Sequence, residues 1–195
     1  MLAKGSVQWI LISIILTVVI AYLSSFYFGI GIIGVAVTLF LIIFFRDPVR
    51  DPEGDGMLSP ADGKVMKVEK GKIGIFMNLH NVHVNRTPLS GRVKGVQYIK
   101  GAFRPAFKKE SDYNERNIIY LSTDQGDLEI VQIAGSFARR IVCYVREGDD
   151  ITMGERIGMI RFGSRVDVTI PEGFDLIVKN GDRVRAGESV IAVKE

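Results

Sequence analysis

The chain is poor in the residues that carry most thiol, redox and metal chemistry: its 195 residues include one cysteine, two histidines and one tryptophan. A lone Cys143 can neither close an intrachain disulfide nor build a multi-cysteine metal site, and within Ile141-Val142-Cys143-Tyr144-Val145 it reads as core. His80 and His83 are three residues apart, which in a strand sets them on opposite faces; with no third histidine they do not make an ordinary zinc set. Charge is also missing over a long stretch, since the 41 residues from Gly5 to Phe45 contain no Lys, Arg, Asp, Glu or His. A single helix of that length would run to about 60 Å, twice a bilayer core of about 30 Å, so two shorter helices are expected. The break falls at Ser24-Ser25 through Gly29-Ile30-Gly31, giving Val7 to Leu23 and Gly29 to Phe45.

Each helix is at the short end of the spanning range, and a re-entrant pair or one tilted span fits the same pattern. Trp9, Tyr22, Phe26 and Tyr27 fall where interfacial aromatics sit. Lys4, Arg46 and Arg50 would share the face that the positive-inside rule makes cytoplasmic. The apolar stretch is too long for a secretory signal and has no small-residue cleavage site before the charged region. Residues 1–45 are therefore expected to form a membrane anchor, a transmembrane helical hairpin, and residues 46–195 a separate folded domain.

That domain is nearly neutral. The whole chain has 25 Lys and Arg against 22 Asp and Glu, and only Lys4 of these lies in the first 45 residues. No basic run exceeds the pairs Lys108-Lys109 and Arg139-Arg140, so there is no nucleic-acid footprint; anionic lipid headgroups are what such pairs could meet.

After the stiff, proline-bearing exit Arg46-Asp47-Pro48-Val49-Arg50-Asp51-Pro52, the texture becomes short β-type runs punctuated by glycine. Strands are expected over Val65 to Val68, Ile73 to Met77, Val82 to Val84, Val93 to Ile99, Ile118 to Ser122, Leu128 to Ile133, Arg140 to Val145, Arg156 to Ile160, Val166 to Ile170 and Val190 to Val193. No convincing amphipathic helix competes, so the domain reads as mainly β. The polar interruption Phe103 to Asn117 is either a lid or a solvated connection. An internal echo offset by 33 residues relates Glu147 to Ile157 with Asn180 to Val190. Its Gly-Asp and Gly-Glu turns resemble the hammerhead of biotinyl and lipoyl carrier domains, which implies a barrel-sandwich β architecture.

Three residues in separate runs could form a proton relay. Asp62 sits in a Pro-Gly turn, His83 in an apolar run, and Ser164 follows Gly163 between two β-type runs. An aspartate can orient a histidine, which can then take the proton of a serine hydroxyl, a base step that contributes about 10²- to 10⁴-fold.

The motifs around these residues are specific. Phe45-Arg46-Asp47-Pro48, Ser59-Pro60-Ala61-Asp62-Gly63-Lys64-Val65, Val82-His83-Val84-Asn85-Arg86, Asn114-Glu115-Arg116-Asn117, Gln132-Ile133-Ala134-Gly135 with Ala138-Arg139-Arg140-Ile141, and Arg161-Phe162-Gly163-Ser164-Arg165-Val166-Asp167-Val168 occur in one order over residues 45–195. Together they resemble the short, membrane-bound class of phosphatidylserine decarboxylases, which includes archaetidylserine decarboxylase.

The resemblance implies that Ser164 attacks the Gly163 carbonyl with His83 as base and Asp62 behind it. The chain is thereby cut into residues 1–163 and 164–195, which stay together as a heterodimer, and Ser164 becomes a covalent pyruvoyl group. It further implies that this group forms a Schiff base with the serine amine of a membrane phospholipid, and that loss of CO₂ leaves the ethanolamine lipid. His80 stands where short bacterial members commonly have an apolar residue and larger members a functional histidine. The implied location is the cell membrane with the catalytic domain on the cytoplasmic side, and a homo-oligomer is compatible with it.

Two other classes fit the same residues. One is a membrane serine peptidase using Asp62, His83 and Ser164. The other is a membrane-anchored carrier or adaptor, for which Lys67 is the only candidate attachment lysine.

Overall fold

The computed structural model describes residues 1–23, 28–69, 71–102, 113–135, 140–161 and 164–194. The chain falls into two compact units, Met1–Val49 and Arg50–Glu195.

The first unit is a helical hairpin of α1 (Val7–Leu23) and α2 (Phe28–Phe44), each 17 residues long. Its two ends are tied together, with the Ala3 amide donating to the Phe45 carbonyl and the Asp47 amide to the Met1 carbonyl, both at 2.8 Å. The hairpin has its polarity inverted relative to a water-soluble pair. Leu11, Ile12, Ile15, Leu16, Val18, Ile33, Val35 and Leu39 are exposed, whereas Ser13 and Thr38 hydrogen-bond each other across the helices at 2.8 Å. A Cβ on Gly34 would lie 2.7 Å from the Thr17 hydroxyl, so small residues let the backbones approach. Hydroxyl and glycine contacts inside with an apolar surface outside is how helices associate in lipid, where burying leucine gains nothing.

One expectation is corrected here. Seventeen residues rise about 26 Å, short of a bilayer core of about 30 Å. No helix among the described residues is long and apolar enough to cross a membrane. The two helices form where the composition puts them, but neither makes the expected transmembrane span. Phe26 and Tyr27 lie outside the described residues.

The second unit is mainly β, with fourteen strands among its described residues. An eight-stranded sheet runs in the order β13 (Arg183–Val184), β2 (Gly63–Glu69), β3 (Lys72–Met77), β11 (Ser164–Thr169), β7 (Gly126–Ala134), β6 (Arg116–Thr123), β5 (Gly91–Ile99) and β9 (Asp150–Ile151). One three-stranded sheet joins β1 (Met57–Leu58), β14 (Val190–Lys194) and β12 (Phe174–Leu176). The other joins β4 (Val84–Arg86), β10 (Arg156–Ile160) and β8 (Ile141–Cys143). All three contribute to one core, in which Ile73, Ile75, Ile119, Ile130, Val166 and Val168 of the large sheet meet Met57, Ile191, Ile141, Ile157 and Ile160 of the small ones. The strands that periodicity did not reveal, β1, β9, β12 and β13, are only two or three residues long, too short to show an alternation.

The echo read in the sequence is a structural repeat. Asp149 and Asp182 each accept a hydrogen bond from the amide three residues earlier, Arg146 at 2.8 Å and Lys179 at 2.7 Å. The Gly148 amide donates to Val93 and the Gly181 amide to Val65; Gly154 donates to Thr87 and Gly187 to Ser59. The acceptors reveal a second repeated segment, because Ser59-Pro60-Ala61-Asp62-Gly63-Lys64-Val65 corresponds to Thr87-Pro88-Leu89-Ser90-Gly91-Arg92-Val93. Both serve the same purpose. The Ser59 hydroxyl donates to the Ala61 carbonyl at 2.8 Å, and the Thr87 hydroxyl to the Leu89 carbonyl at 2.7 Å.

Candidate active site

β11 occupies the interior of the large sheet, and its first residue, Ser164, lies between Met77 of β3 and Ala134 of β7. The strand before it, β10, belongs to a different sheet. The chain therefore crosses between sheets over the few residues from Ile160 to Ser164, and Gly163, within that crossing, lies outside the described residues. Strand alternation turns Ser164 to the same face as Val166 and Val168, into the core. Its side chain is wholly buried, and its hydroxyl has no hydrogen-bond partner among the described residues. A buried hydroxyl in that state costs about 1–3 kcal/mol, so a purely structural role is a poor explanation for it.

His83 borders the same crossing. It is buried, and its backbone carbonyl accepts from the Ile160 amide at 3.3 Å. Its Nδ1 lies 2.9 Å from the Asn81 carbonyl oxygen. A carbonyl can only accept, so the proton sits on Nδ1 and Nε2 carries the basic lone pair. His80 is placed differently. The Asn81 amide donates to the Asn78 carbonyl at 3.0 Å, and the Asn78 amide to the Asn81 side chain at 2.8 Å. This closed turn holds Leu79 and His80 exposed at its tip.

Asp62 is engaged elsewhere than expected. Its two carboxylate oxygens accept from one Arg50 guanidinium nitrogen at 3.0 and 2.9 Å, and one of them also accepts from the Ala186 amide at 2.8 Å. The structure does not join Asp62 to His83; the Asn81 carbonyl orients the imidazole instead. Arg50 also donates to Glu188, which accepts from Arg185 at 2.7 Å. The hydrogen bond from Arg50, then that from Arg185, holds the Glu188 carboxyl below its ordinary value. By register Asp62 is at the Ser164 end of the sheet, because Lys64 faces Phe76 and Phe76 faces Arg165. Two strand spacings put it about 10 Å from the serine backbone.

A string of buried amides, not singled out as functional from the sequence, lines the same end. Gln132 donates to Asn85 at 2.8 Å and accepts from Asn117 at 2.9 Å. Asn114 donates to the carbonyl of Ala134, the neighbour of Ser164, at 2.7 Å. The signal was present as polar residues inside apolar β runs, where burial is costly unless every group is paired. At the same end of the sheet, partial burial and then a hydrogen bond with Glu115 push the Tyr98 hydroxyl up to about 12. Burial, then the nearby charge of Arg140, lowers the Arg161 guanidinium from its ordinary value. The expected lid at 103–117 is described only from Tyr113, where Asn114 and Glu115 lead into β6; residues 103–112 lie outside the description. Lys67 lies within β2, ion-paired with Glu69 at 3.0 Å, and is not at a hairpin tip.

The sequence is similar to those of known proteins. The family model described as phosphatidylserine decarboxylase matches residues 69–192. A Methanosarcina barkeri protein, provisionally named archaetidylserine decarboxylase proenzyme, is 49% identical over 199 residues, covering 98% of each chain. Its counterpart in Methanosarcina acetivorans is 50% identical, covering 98% of this chain and 96% of its own. A phosphatidylserine decarboxylase proenzyme from Streptomyces griseus is 44% identical, covering 95% of this chain and 90% of its own. With Ser164, His83 and Asp62 at one end of a β domain matched over nearly its full length, the chain belongs to the phosphatidylserine decarboxylase family.

Proposed function

We propose that the chain is a precursor that cuts itself between Gly163 and Ser164, and that the mature protein decarboxylates the serine headgroup of a membrane phospholipid to the ethanolamine headgroup. The observation that carries this reading is the buried Ser164 hydroxyl, left without a hydrogen bond among the described residues at the first position of an interior strand. His83 takes the serine proton through Nε2, fixed by the Asn81 carbonyl. The Ser164 oxygen attacks the Gly163 carbonyl and the Gly163–Ser164 C–N bond breaks, the freed amine taking the proton from His83. Loss of the Ser164 α-proton then expels the Gly163 carboxylate by β-elimination, and the dehydroalanine left at position 164 takes up water and releases ammonia to become the pyruvoyl group. Asp62 is assigned a supporting role in this step from the clamp it forms with Arg50.

The strand pairing supports the reading that the two chains stay together after the cut. Residues 164–195 contribute β11, paired on both sides with β3 and β7, together with β13 on β2 and β14 on β1. The Ser164 position fits a pyruvoyl group. Strand pairing fixes its backbone, the adjoining face is buried, and the amide string beside it supplies paired polar groups. Such a group supplies an electron sink for the pair released when CO₂ leaves. His80, exposed at the rim, is the candidate to return a proton to the product; His83, inside, is the candidate base for the cut.

The hairpin is assigned to the membrane, and its outward apolar surface supports that. Helices shorter than a full span fit a hairpin that enters from one face. Lys4 and Arg46 lie at its tied end, where Leu2 bridges to Arg46, and this supports a cytoplasmic catalytic domain. The chemistry touches only the headgroup, so ester-linked and ether-linked serine lipids are both substrates in this reading. The peptidase reading loses support because Ser164 is fully buried, and the carrier reading because Lys67 is not at a hairpin tip.

The test is CO₂ release from vesicles of each lipid by the purified chain, alongside denaturing electrophoresis. Two chains and release are expected from the wild type, with one chain and no release from Ser164→Ala. Processed chains in Ser164→Ala contradict the mechanism.

A further inference from the structure

We propose that the Ser164 end of the large sheet is a lipid-docking rim, a second membrane contact distinct from the hairpin, which seats directly on a bilayer bearing anionic headgroups. The inference rests on the reading above only in taking Ser164 as the reactive position.

Register places the rim. Met77, Ser164 and Ala134 lie in one row, and the Ala134 amide donates to the Glu115 carbonyl, extending that row to the residue before β6. The segments just past this row therefore emerge together: the Asn78–Asn81 turn after β3, Lys100 after β5, and Tyr113-Asn114 before β6, where the Ala102 amide donates to the Tyr113 carbonyl at 2.8 Å. The side chains there are the wrong kind for water. Leu79 is 48% exposed at the tip of a closed turn, a position that ordinarily takes a polar residue. Tyr113 is 74% exposed and Tyr98 49%. Single exposed apolar residues need no explanation, but a leucine and two tyrosines along one end of a sheet do. Tyrosine and leucine at this level are what a headgroup interface accepts.

Charge indicates what the rim meets. Lys100 and Arg140 are exposed. The Arg161 amide donates to the Arg140 carbonyl at 3.3 Å, so two arginine residues flank the crossing into Ser164. Basic residues near an anionic leaflet are drawn to it. At the opposite end of the sheet, the Thr123–Gly126 turn carries Asp124 and Gln125 where the Asn78–Asn81 turn carries Leu79 and His80.

The experiment uses the full chain reconstituted into vesicles of phosphatidylserine and brominated phosphatidylcholine. The native tryptophan is removed as Trp9→Phe and one reporter is introduced, either Leu79→Trp or Gln125→Trp. Strong quenching with a blue-shifted emission is expected at position 79, and neither at position 125, which is roughly eight strand residues or about 26 Å away. No quenching at 79, or equal quenching at both, overturns the rim. As a second measure, Leu79→Asp and Tyr113→Asp should each raise by about tenfold the vesicle concentration giving half-maximal rate. They should leave the rate on a monomeric short-chain serine phospholipid unchanged; equal losses on both substrates contradict docking. A wild-type chain that neither cuts itself nor releases CO₂ counts against the functional reading, and the quenching pattern still decides the rim.

Discussion

Ser59–Val65 and Thr87–Val93 are two solutions to one structural problem, and they differ where the chemistry is placed. Each segment follows its Ser or Thr with a proline and closes on that hydroxyl, and each brings a glycine against a neighbouring strand. A Cβ on Gly63 would sit 2.1 Å from the Phe76 carbonyl oxygen, and one on Gly91 2.3 Å from that of Ser122. Each also accepts one amide from the partner turn, Asp62 from Ala186 and Ser90 from Met153, both at 2.8 Å. The fold therefore requires a single acceptor at this position, and a neutral hydroxyl satisfies it. The carboxylate at 62, buried and clamped by Arg50, exceeds that requirement. Its surplus lies at the Ser164 end of the sheet, whereas Ser90 is exposed beside β9.

The largest effect should come from making the first copy like the second. Asp62→Ser retains the bond to the Ala186 amide and removes one of the two carboxylate partners of Arg50. Self-cutting, followed by electrophoresis, is expected to slow by roughly tenfold or more through loss of the buried Arg50 clamp at the Ser164 end of the sheet. Normal cutting would mean that the two copies differ only in a structural ion pair. Arg50→Ala leaves the buried Asp62 and the half-buried Glu188 without their shared cation, and chemical denaturation should register a loss of about 3 kcal/mol. Ser90→Ala, the control in the second copy, should cost about 1 kcal/mol and leave cutting untouched.

The smallest effect is a pH dependence. Arg50 and Arg185 hold the Glu188 carboxyl below its ordinary value of 4.5. Its contribution is thus fully present above that value and is lost as pH falls through the depressed folded value. The melting-temperature gap between wild type and Glu188→Gln should narrow on acidification from neutrality to below pH 4; a constant gap would remove the ion pair from the account.

Much of this was legible because the signals were local. The uncharged run placed both helices to within a residue at each end, and glycine-punctuated runs located the longer strands. Asp62, His83 and Ser164 stood out as chemistry-bearing residues in specific motifs. What sequence could not convey was pairing. Arg50 is adjacent to Asp62 only because the exit linker folds back over 12 residues. The Asn81 carbonyl orients His83 through a backbone group that every residue possesses. The Gln132 string depends on β4, β6 and β7 being brought together from distant parts of the chain. The second repeat was hidden because SPADGKV and TPLSGRV share only a proline, a glycine and a valine, while their hydrogen bonds coincide.

Intact-mass spectrometry of the mature, active protein tests the central claim most directly. The account predicts two polypeptides, residues 1–163 and a small chain beginning at position 164 that has lost its amino terminus and carries a ketone where the serine hydroxyl was. A single unbroken chain of 195 residues that retains that hydroxyl and still decarboxylates serine lipid would contradict it.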